Sequence, residues 1–276
     1  MSHANLDLVV IGSGPAGQKA ALCAAKLGKR VAIVDRREMI GGVCIHTGTI
    51  PSKAIREAVL HLTAINERSL YGDSYAIKHD ITMADLLYRS NHVVRNEVAV
   101  VHNQMRRNDV TTFFGYARFT SPNSIRVTRS DRGADDTSEI FASNFLIAVG
   151  TDPARPAHVP FTPDRVIDSN QLLELKHLPR SIIIVGGGVI GTEYACMLQA
   201  VGVKVTLIES RPSLLEFVDQ EVVELLQFRL RDMGMRLRLG EAVSDIRLTD
   251  DGVEVQTKSG KRVTAAMLMY CIGRQG

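Results

Sequence analysis

Two short apolar runs, each followed by glycines and an alanine-rich segment, dominate the hydrophobic pattern of this 276-residue chain. Residues 8–11 and 181–185 are of the kind that forms a buried parallel strand. A glycine-rich turn, a helical segment and a second apolar run follow each of them, the second runs covering 30–34 and 204–208. The sequence therefore predicts two βαβ units and an α/β fold.

The first glycine-rich turn, Gly-Ser-Gly-Pro-Ala-Gly, has the spacing of a dinucleotide-binding motif. In such a turn the first glycine permits a tight bend, the second admits a pyrophosphate, and the third lets the helix pack closely on the strand. Asp35 ends the next strand, where a carboxylate can accept hydrogen bonds from ribose hydroxyls. An empty glycine turn is the alternative, but the complete strand, helix, strand and acid pattern favours a dinucleotide site. The candidate residues are Gly12, Gly14, Pro15, Ala16, Gly17, Asp35 and Arg36.

The second glycine-rich turn repeats the glycine spacing, the helix length and the position of the acid. An internal repeat of this kind indicates two nucleotide sites, or one long cofactor and one nucleotide. Glu209 suits the 2′-hydroxyl of NAD and would repel the 2′-phosphate of NADP, whereas Arg211 could offset that repulsion. A solvated Arg211 is the alternative. The candidate residues are Gly186, Gly188, Val189, Ile190, Gly191, Glu209 and Arg211.

Residues 41–53, Gly-Gly-Val-Cys-Ile-His-Thr-Gly-Thr-Ile-Pro-Ser-Lys, form the third distinctive stretch. The glycine pair lets the backbone approach a ligand closely, and Pro51 suits the first turn of a helix. This stretch resembles the flavoprotein oxidoreductases with two dinucleotide-binding domains, among them lipoamide dehydrogenase, glutathione reductase and mercuric reductase. In that family two cysteines form a redox disulfide, but Thr49 stands here in place of the second one. The variant is similar to the soluble pyridine nucleotide transhydrogenase branch, which implies flavin chemistry without a disulfide relay.

The resemblance implies FAD at the first glycine turn and NAD or NADP at the second. It places Lys53 beside the flavin, where a cation stabilises negative charge, and pairs Lys53 with Glu193. A solvated lysine and an ordinary first-turn glutamate are the alternatives. Cys44 could contact the flavin as a thiolate, although a small packing residue is the favoured interpretation. The resemblance also assigns to the flavin site Gly41, Gly42, Val43, Cys44, Lys53, Ala117 and Gly150.

The remaining pattern predicts further helices and strands. Helical periodicity covers 51–68, 80–108 and 220–233, and strand-like runs lie at 111–114, 116–119, 125–127, 145–148, 236–239, 243–248, 253–257 and 263–269. A solvated hairpin loop is predicted at 129–139, and the proline-rich stretch 151–163 predicts an extended linker. Cys23 and Cys196, within alanine-rich helices, are expected in the core.

The domain boundaries follow from the repeat and the resemblance. We expect an FAD-binding domain at 1–150, an NAD(P)-binding domain at 151–272, and the start of a return to the first domain at 273–276. Members of the family continue with an acidic Gly-Asp motif and a dimerisation domain and form homodimers. A C-terminally shortened form of that architecture is therefore expected.

Composition excludes several other classes of protein. The net charge of +3 is too small to indicate nucleic acid or an anionic membrane as a partner. No apolar run reaches the roughly 18 residues needed to span a bilayer. Four cysteines are too few for a disulfide scaffold, so the cytoplasm is the expected location. His46 lies near Cys44, but further ligands at zinc spacing are lacking, so we expect no metal site.

Three functions remain open at this point. The first is hydride exchange between NADPH and NAD through FAD. The second is an NAD(P)H dehydrogenase that passes flavin electrons to a quinone, a dye or oxygen. The third is a non-catalytic fragment that binds nucleotide but holds FAD poorly.

Overall fold

The computed structural model describes residues 6–36, 40–65, 68–72, 75–129 and 137–276. Contacts divide the chain into a first unit of residues 1–51, 91–151 and 276 and a second unit of residues 52–90 and 152–275. Most of the loop predicted at 129–139 lies outside the described residues.

Strands and helices alternate over residues 6–35 and again over residues 181–239. The helices are α1 (Pro15–Lys26), α2 (Gly42–His46), α3 (Thr49–Thr63), α4 (Arg68–Tyr71), α5 (Met83–Arg107), α6 (Val189–Ala200) and α7 (Gln220–Asp232), with a 3₁₀ turn at Gln171–Glu174. The strands of the first unit are β1 (Leu6–Ile11), β2 (Val31–Asp35), β3 (Thr111–Phe114), β4 (Tyr116–Ser121), β5 (Ser124–Thr128) and β6 (Thr137–Ile147). Those of the second unit are β7 (Asp152–Pro153), β8 (Val166–Asp168), β9 (Ser181–Val185), β10 (Lys204–Glu209), β11 (Arg236–Leu239), β12 (Val243–Thr249), β13 (Gly252–Thr257), β14 (Arg262–Ala265), β15 (Met267–Tyr270) and β16 (Arg274–Gln275).

The first unit is built on one sheet with the strand order β3-β2-β1-β6-β5-β4. Strands β3, β2, β1 and the C-terminal half of β6 pair in parallel, while β4, β5 and the N-terminal half of β6 pair antiparallel. Alternate residues of β1 face opposite layers, because successive side chains of a strand point to opposite faces. Val10 packs in the cluster that contains the helices, whereas Val9 packs against the antiparallel strands.

The second unit repeats this arrangement. Its parallel sheet has the order β11-β10-β9-β15-β8, and a separate three-stranded antiparallel sheet has the order β12-β13-β14. Ile182 and Ile184 of β9 join the cluster on the helical side, while Ile183 and Val185 pack with residues of β12 and β13. Both units therefore have three layers, and the predicted α/β fold with an internal repeat is confirmed.

Residues 52–90 belong by their contacts to the second unit although they precede it in the sequence. Ile55, Val59 and Leu86 lie in the same apolar cluster as Ile182. The assignment of flavin to residues 1–150 and of nicotinamide nucleotide to residues 151–272 concerns ligands, and it stays a prediction.

Several predicted bounds were wrong. The helix predicted over 51–68 ends at Thr63, because Ala64 takes a φ of 49° and the Lys78 N–H donates to the Leu62 carbonyl. The strand predicted over 263–269 is two strands, β14 and β15. These lie in different sheets, and the Ala266 N–H between them donates to the Ser181 hydroxyl.

Candidate functional site

The first glycine-rich turn joins β1 to α1. Gly12 has a φ of +107°, and a Cβ atom added there would lie 2.2 Å from the Ala148 carbonyl oxygen. A Cβ on Gly17 would lie 1.9 Å from the Gly12 carbonyl oxygen, whereas a Cβ on Gly14 would meet no atom within 4 Å. Gly12 and Gly17 are therefore required by packing, while the missing side chain of Gly14 leaves open space at the start of α1.

Asp35 anchors this turn through Ser13. The Ser13 N–H donates to Asp35 Oδ2 at 2.9 Å, and the Ser13 hydroxyl donates to the same oxygen. The Gly41 N–H donates to the Ser13 hydroxyl oxygen at 3.0 Å. The turn, the end of β2 and the glycine pair thus form one hydrogen-bonded group, and Ser13 is a part of it that the sequence argument missed. The expected contact of Asp35 with a ribose stays a prediction.

A cleft of about 320 Å³ opens beside this group. Gly42 approaches the turn so closely that a Cβ there would lie 2.8 Å from Gly14 Cα. The predicted residues Ala16, Gly17, Gly41 and Lys53 do not line this cleft. Gly17 packs on the turn, and Gly41 supplies its N–H to Ser13. The candidates that line the cleft are Gly12, Gly14, Pro15, Asp35, Arg36, Gly42, Val43, Cys44, Ala117 and Gly150.

The second glycine-rich turn joins β9 to α6 with nearly the same geometry. Gly186 has a φ of +111°, and a Cβ on Gly191 would lie 2.0 Å from the Gly186 carbonyl oxygen. A Cβ on Gly188 would meet no atom within 4 Å. Gly186, Gly188 and Gly191 therefore correspond in packing to Gly12, Gly14 and Gly17, as the sequence repeat predicts.

Glu209 anchors the second turn as Asp35 anchors the first. Its Oε2 accepts from the Gly187 N–H at 2.6 Å, and its Oε1 accepts from the Arg211 N–H at 2.9 Å and the Ser210 hydroxyl at 3.1 Å. The Arg211 guanidinium donates to both oxygens, at 3.1 and 2.9 Å. Burial acts to raise the pKa of Glu209, but these hydrogen bonds outweigh it and lower the pKa to about 2. Glu209 is therefore an anion at neutral pH.

A cleft of about 200 Å³ lies between this turn and the start of β12. Glu209 and Glu241 both line it. Hydrogen bonds from Lys261 and Ser259 lower the pKa of Glu241 to about 2, so this second carboxylate is also ionised. Sequence reasoning missed Glu241, because its partner Lys261 lies 20 residues away along the chain, directly before β14.

A second opening of about 220 Å³ lies at the N-terminus of α6 and contains Gly188, Val189 and Ile190. Helix N-termini attract anions because their first N–H groups lack partners within the helix. The first turn of α6 carries no acidic residue. Of the two openings in the second unit, the one at the N-terminus of α6 therefore suits a pyrophosphate. The other is lined by the carboxylates of Glu209 and Glu241.

Lys53 and Glu193 form the ion pair that the resemblance implies. The Lys53 ammonium donates to Glu193 Oε1, and both residues belong to the second unit. The Lys53 side chain is 58% exposed and that of Glu193 is 21% exposed. Such a pair adds little to stability because water screens it, but it fixes the position of the lysine nitrogen.

The four cysteines all lie within the described residues and are free thiols. Burial raises the pKa of Cys196 to about 11 and that of Cys271 to about 12, which makes both inert at neutral pH. The prediction that Cys23 lies in the core was wrong, since it is exposed. It lies about 200° around α1 from the buried Ala21, on the opposite side of the helix.

The described part of the chain contains no group of three or more histidine, cysteine, aspartate or glutamate side chains that could hold a metal ion. His46 instead donates from Nε2 to the Ile40 carbonyl at 3.1 Å. Among the described residues there is also no helix with the length and apolar character required to cross a bilayer.

Each of the two units has three layers, a glycine turn, an open glycine at a helix start and an acid anchored to the turn. This is the architecture of a protein with two dinucleotide-binding domains. The profile of the family described as pyridine nucleotide-disulphide oxidoreductase matches residues 6–276. The chain belongs to that family. Its members bind flavin and nicotinamide nucleotides.

Two curated relatives within this family carry the same name. Soluble pyridine nucleotide transhydrogenase from Mycobacterium bovis is 52% identical over 270 residues, which are 98% of this chain and 57% of the relative. The protein of the same name from Vibrio parahaemolyticus is 42% identical over 277 residues, covering 100% of this chain and 59% of the relative. The chain therefore spans somewhat more than half the length of the curated relatives that it matches.

Solved structures agree with the fold. LpdA from Mycobacterium tuberculosis superimposes with a TM-score of 0.84 at 26% identity, over 98% of this chain and 59% of that one. The HOCl-induced flavoprotein disulfide reductase RclA from Escherichia coli superimposes with a TM-score of 0.81 at 29% identity, over 98% of this chain and 57% of that one.

Proposed function

We propose that this chain carries the FAD site and the nicotinamide nucleotide site of a transhydrogenase that converts NADPH and NAD into NADP and NADH. The observation that carries the proposal is the duplicated glycine turn, with an open glycine at the start of both α1 and α6. The identity of 52% to a protein named soluble pyridine nucleotide transhydrogenase supports the choice of reaction. We also propose the cytoplasm as its location, since four free thiols suit a reducing compartment.

The cleft of the first unit fits FAD. Gly14 leaves room at the start of α1, and Gly42 keeps side-chain atoms away from the same spot. We assign the pyrophosphate to this place, with Val43, Ala117 and Gly150 along the rest of the cleft. FAD, when bound there, would supply the redox chemistry by taking a hydride from NADPH and passing it to NAD.

The second unit would bind both nicotinamide nucleotides in turn. Gly188 leaves the start of α6 open for a pyrophosphate, and the cleft at Glu209 suits the adenosine end. The ribose 2′-hydroxyl of NAD can donate to Glu209, which is already ionised.

Arg211 would let the same site accept the 2′-phosphate of NADPH. Its guanidinium can leave Glu209 without isolating a buried charge, because the Gly187 N–H, the Arg211 N–H and the Ser210 hydroxyl still donate to that carboxylate. The Arg211 side chain is 40% exposed, so it has room to turn toward a phosphate. A bidentate guanidinium is well suited to bind phosphate.

Lys53 is the residue that we propose as the stabilising cation for negative charge on the reduced flavin. Glu193 would act as a positioning residue, because its carboxylate receives the Lys53 ammonium. Thr49 occupies the position of the second redox cysteine, so we propose that hydride transfer proceeds without a disulfide. Cys44 lines the flavin cleft, where its small side chain would pack against the cofactor.

Steady-state exchange between NADPH and thio-NAD tests this proposal, since reduced thio-NAD absorbs at longer wavelength than NADPH. We expect saturable formation of reduced thio-NAD in the presence of FAD and without any other acceptor. Oxidation of NADPH by a quinone, a dye or oxygen without thio-NAD reduction would instead assign the chain to the NAD(P)H dehydrogenases. Absence of both activities, together with no flavin retention, would leave a nucleotide-binding fragment.

A further inference from the structure

Helix α7 has two apolar faces, and only one of them is buried. Val223 and Leu230 pack into the core of the second unit. On the opposite face Val222, Leu225 and Phe228 are 58%, 62% and 62% exposed. Three large apolar side chains so exposed on one helix face are typical of an interaction surface.

Two of the three charged residues near this face, Glu221 and Arg229, carry opposite signs on either side of Leu225, whereas the third, Asp232, has the uncharged Val218 at its mirror position. Glu221 lies four residues before Leu225 and Arg229 four residues after it, and Val222 and Phe228 lie three residues before and after. At 100° per residue all four lie within about 60° of Leu225 around the helix. Beyond the helix ends, Phe217 and Met233 lie eight residues before and after Leu225, and both are exposed.

The residues at 221, 222, 225, 228 and 229 keep the same order of charged and apolar types when the helix is reversed, with the two charges exchanged in sign. A two-fold axis through Leu225 would place α7 antiparallel to a second α7, since such an axis puts each residue against its mirror position. Leu225 would then face Leu225, Val222 would face Phe228, and Glu221 would face Arg229.

We propose that this face of α7 binds α7 of a second copy of the chain, antiparallel and centred on Leu225. The presence of both charge signs on the face favours a self-complementary protein partner over an anionic lipid surface. Arg229 also lies 3.5 Å from Asp232 of its own helix, but this exposed pair is weak and leaves the guanidinium available.

The association should be weak. A stable interface buries about 800 Å² per partner, and one face of a 13-residue helix provides less than that. We therefore expect a dissociation constant in the micromolar range or above, and an equilibrium between monomer and dimer that shifts with protein concentration.

Sedimentation equilibrium over a wide range of concentrations tests the proposal directly. The wild type should show a monomer–dimer equilibrium, and Leu225→Glu should be monomeric at every concentration. Leu248→Glu is the matched control, because Leu248 is an exposed apolar residue of β12 in the same unit. It should associate as the wild type does, and circular dichroism should show both variants folded.

Charge reversal gives a second test that does not depend on the apolar residues. Glu221→Arg and Arg229→Glu should each weaken association at least tenfold, because each places like charges against each other. The double variant restores opposite charges and should recover most of the affinity. Leu225→Cys should form a disulfide-linked dimer under mild oxidation, whereas Leu248→Cys should not.

A wild type that stays monomeric at millimolar concentration would overturn the proposal, as would association that Leu225→Glu leaves unchanged. Failure of the double charge reversal to recover affinity would reject the antiparallel arrangement. Binding of a monomeric wild type to anionic vesicles, lost in Leu225→Glu, would assign the face to a lipid surface instead.

Discussion

Two glycines in the second turn, three residues apart, should respond oppositely to the same methyl group. In Gly191→Ala the new Cβ would lie 2.0 Å from the Gly186 carbonyl oxygen. In Gly188→Ala it would meet no atom within 4 Å, and the backbone there (φ −76°, ψ −172°) suits alanine. The first change should therefore damage the fold, and the second should damage only ligand binding.

The loss of stability expected in Gly191→Ala follows from the 2.0 Å distance between the new Cβ and the Gly186 carbonyl oxygen. Contacts of real Cβ atoms essentially never fall below 3.0 Å, so α6 must move away from β9 by about 1 Å or more. Overpacking typically costs about 1–3 kcal/mol, and a backbone contact this short should lie at the upper end of that range, which exceeds the gain of about 1 kcal/mol from replacing glycine by alanine in a helix. A net loss of about 2 kcal/mol lowers the melting temperature by several degrees.

The second effect should appear in affinity. Gly188→Ala should change the free energy of unfolding by less than about 1 kcal/mol, because its conformation is allowed and its surroundings are open. The methyl group would occupy the place that we assign to the pyrophosphate, so NAD and NADPH should bind at least about tenfold more weakly, a loss of about 1.4 kcal/mol. Thermal melting and titration calorimetry measure the two quantities on the same samples.

Either of two results would refute this reasoning. Wild-type affinity of Gly188→Ala for both nucleotides would show that no pyrophosphate lies at the start of α6. A melting temperature of Gly191→Ala equal to that of the wild type would show that the close approach of helix and strand is not needed.

Three further predictions concern the proposed site. Arg211→Gln should weaken binding of NADP at least about tenfold while leaving the affinity for NAD within about threefold, as measured by calorimetry, because only NADP has a 2′-phosphate for the guanidinium to bind. Equal losses of affinity for both nucleotides would contradict this role. Because the pKa of Glu209 is lowered from 4.5 to about 2, its ionised form stabilises the fold above pH 4.5 by at most about 3 kcal/mol, and this contribution is lost as the pH falls toward 2. Urea unfolding should therefore show a steeper loss of stability over that range in the wild type than in Glu209→Gln, and identical slopes would argue against the lowered pKa. Lys53→Met should slow reduction of bound flavin by NADPH in stopped-flow absorbance at least about tenfold without changing nucleotide affinity, whereas Lys53→Arg should keep most of the rate; an unchanged rate in Lys53→Met would remove the proposed cation.

The repeat was predictable from sequence because its signals are local. Glycine spacing, the apolar strands and the acids at their ends all lie within about 30 residues of each other in each unit, and the structure confirms the strands at 181–185 and 204–209. The end of α3 was not predictable, since it depends on a hydrogen bond from Lys78, 16 residues beyond Leu62. Local sequence propensity does not predict a hydrogen bond between residues so far apart in the sequence.

The candidate site shows the same limit. Glu209 was found because it ends a strand next to a glycine motif, but its five hydrogen bonds were not foreseen. Ser13 lies between two glycines of the motif and had no predicted role, yet its hydroxyl connects Gly41 to Asp35. Glu241 has no motif around it and became a candidate only when the fold brought it to the cleft of Glu209. Polar groups that act through distant partners require the fold before they can be recognised.

The visible absorption spectrum of the purified, desalted chain tests the central claim of two cooperating nucleotide sites most directly. We predict a flavin spectrum that bleaches when NADPH is added without oxygen and returns when NAD is added. A chain that remains colourless after loading with FAD and desalting would contradict the assignment of the first cleft. A flavin that NADPH bleaches and NAD fails to restore would contradict hydride transfer between the two nucleotides.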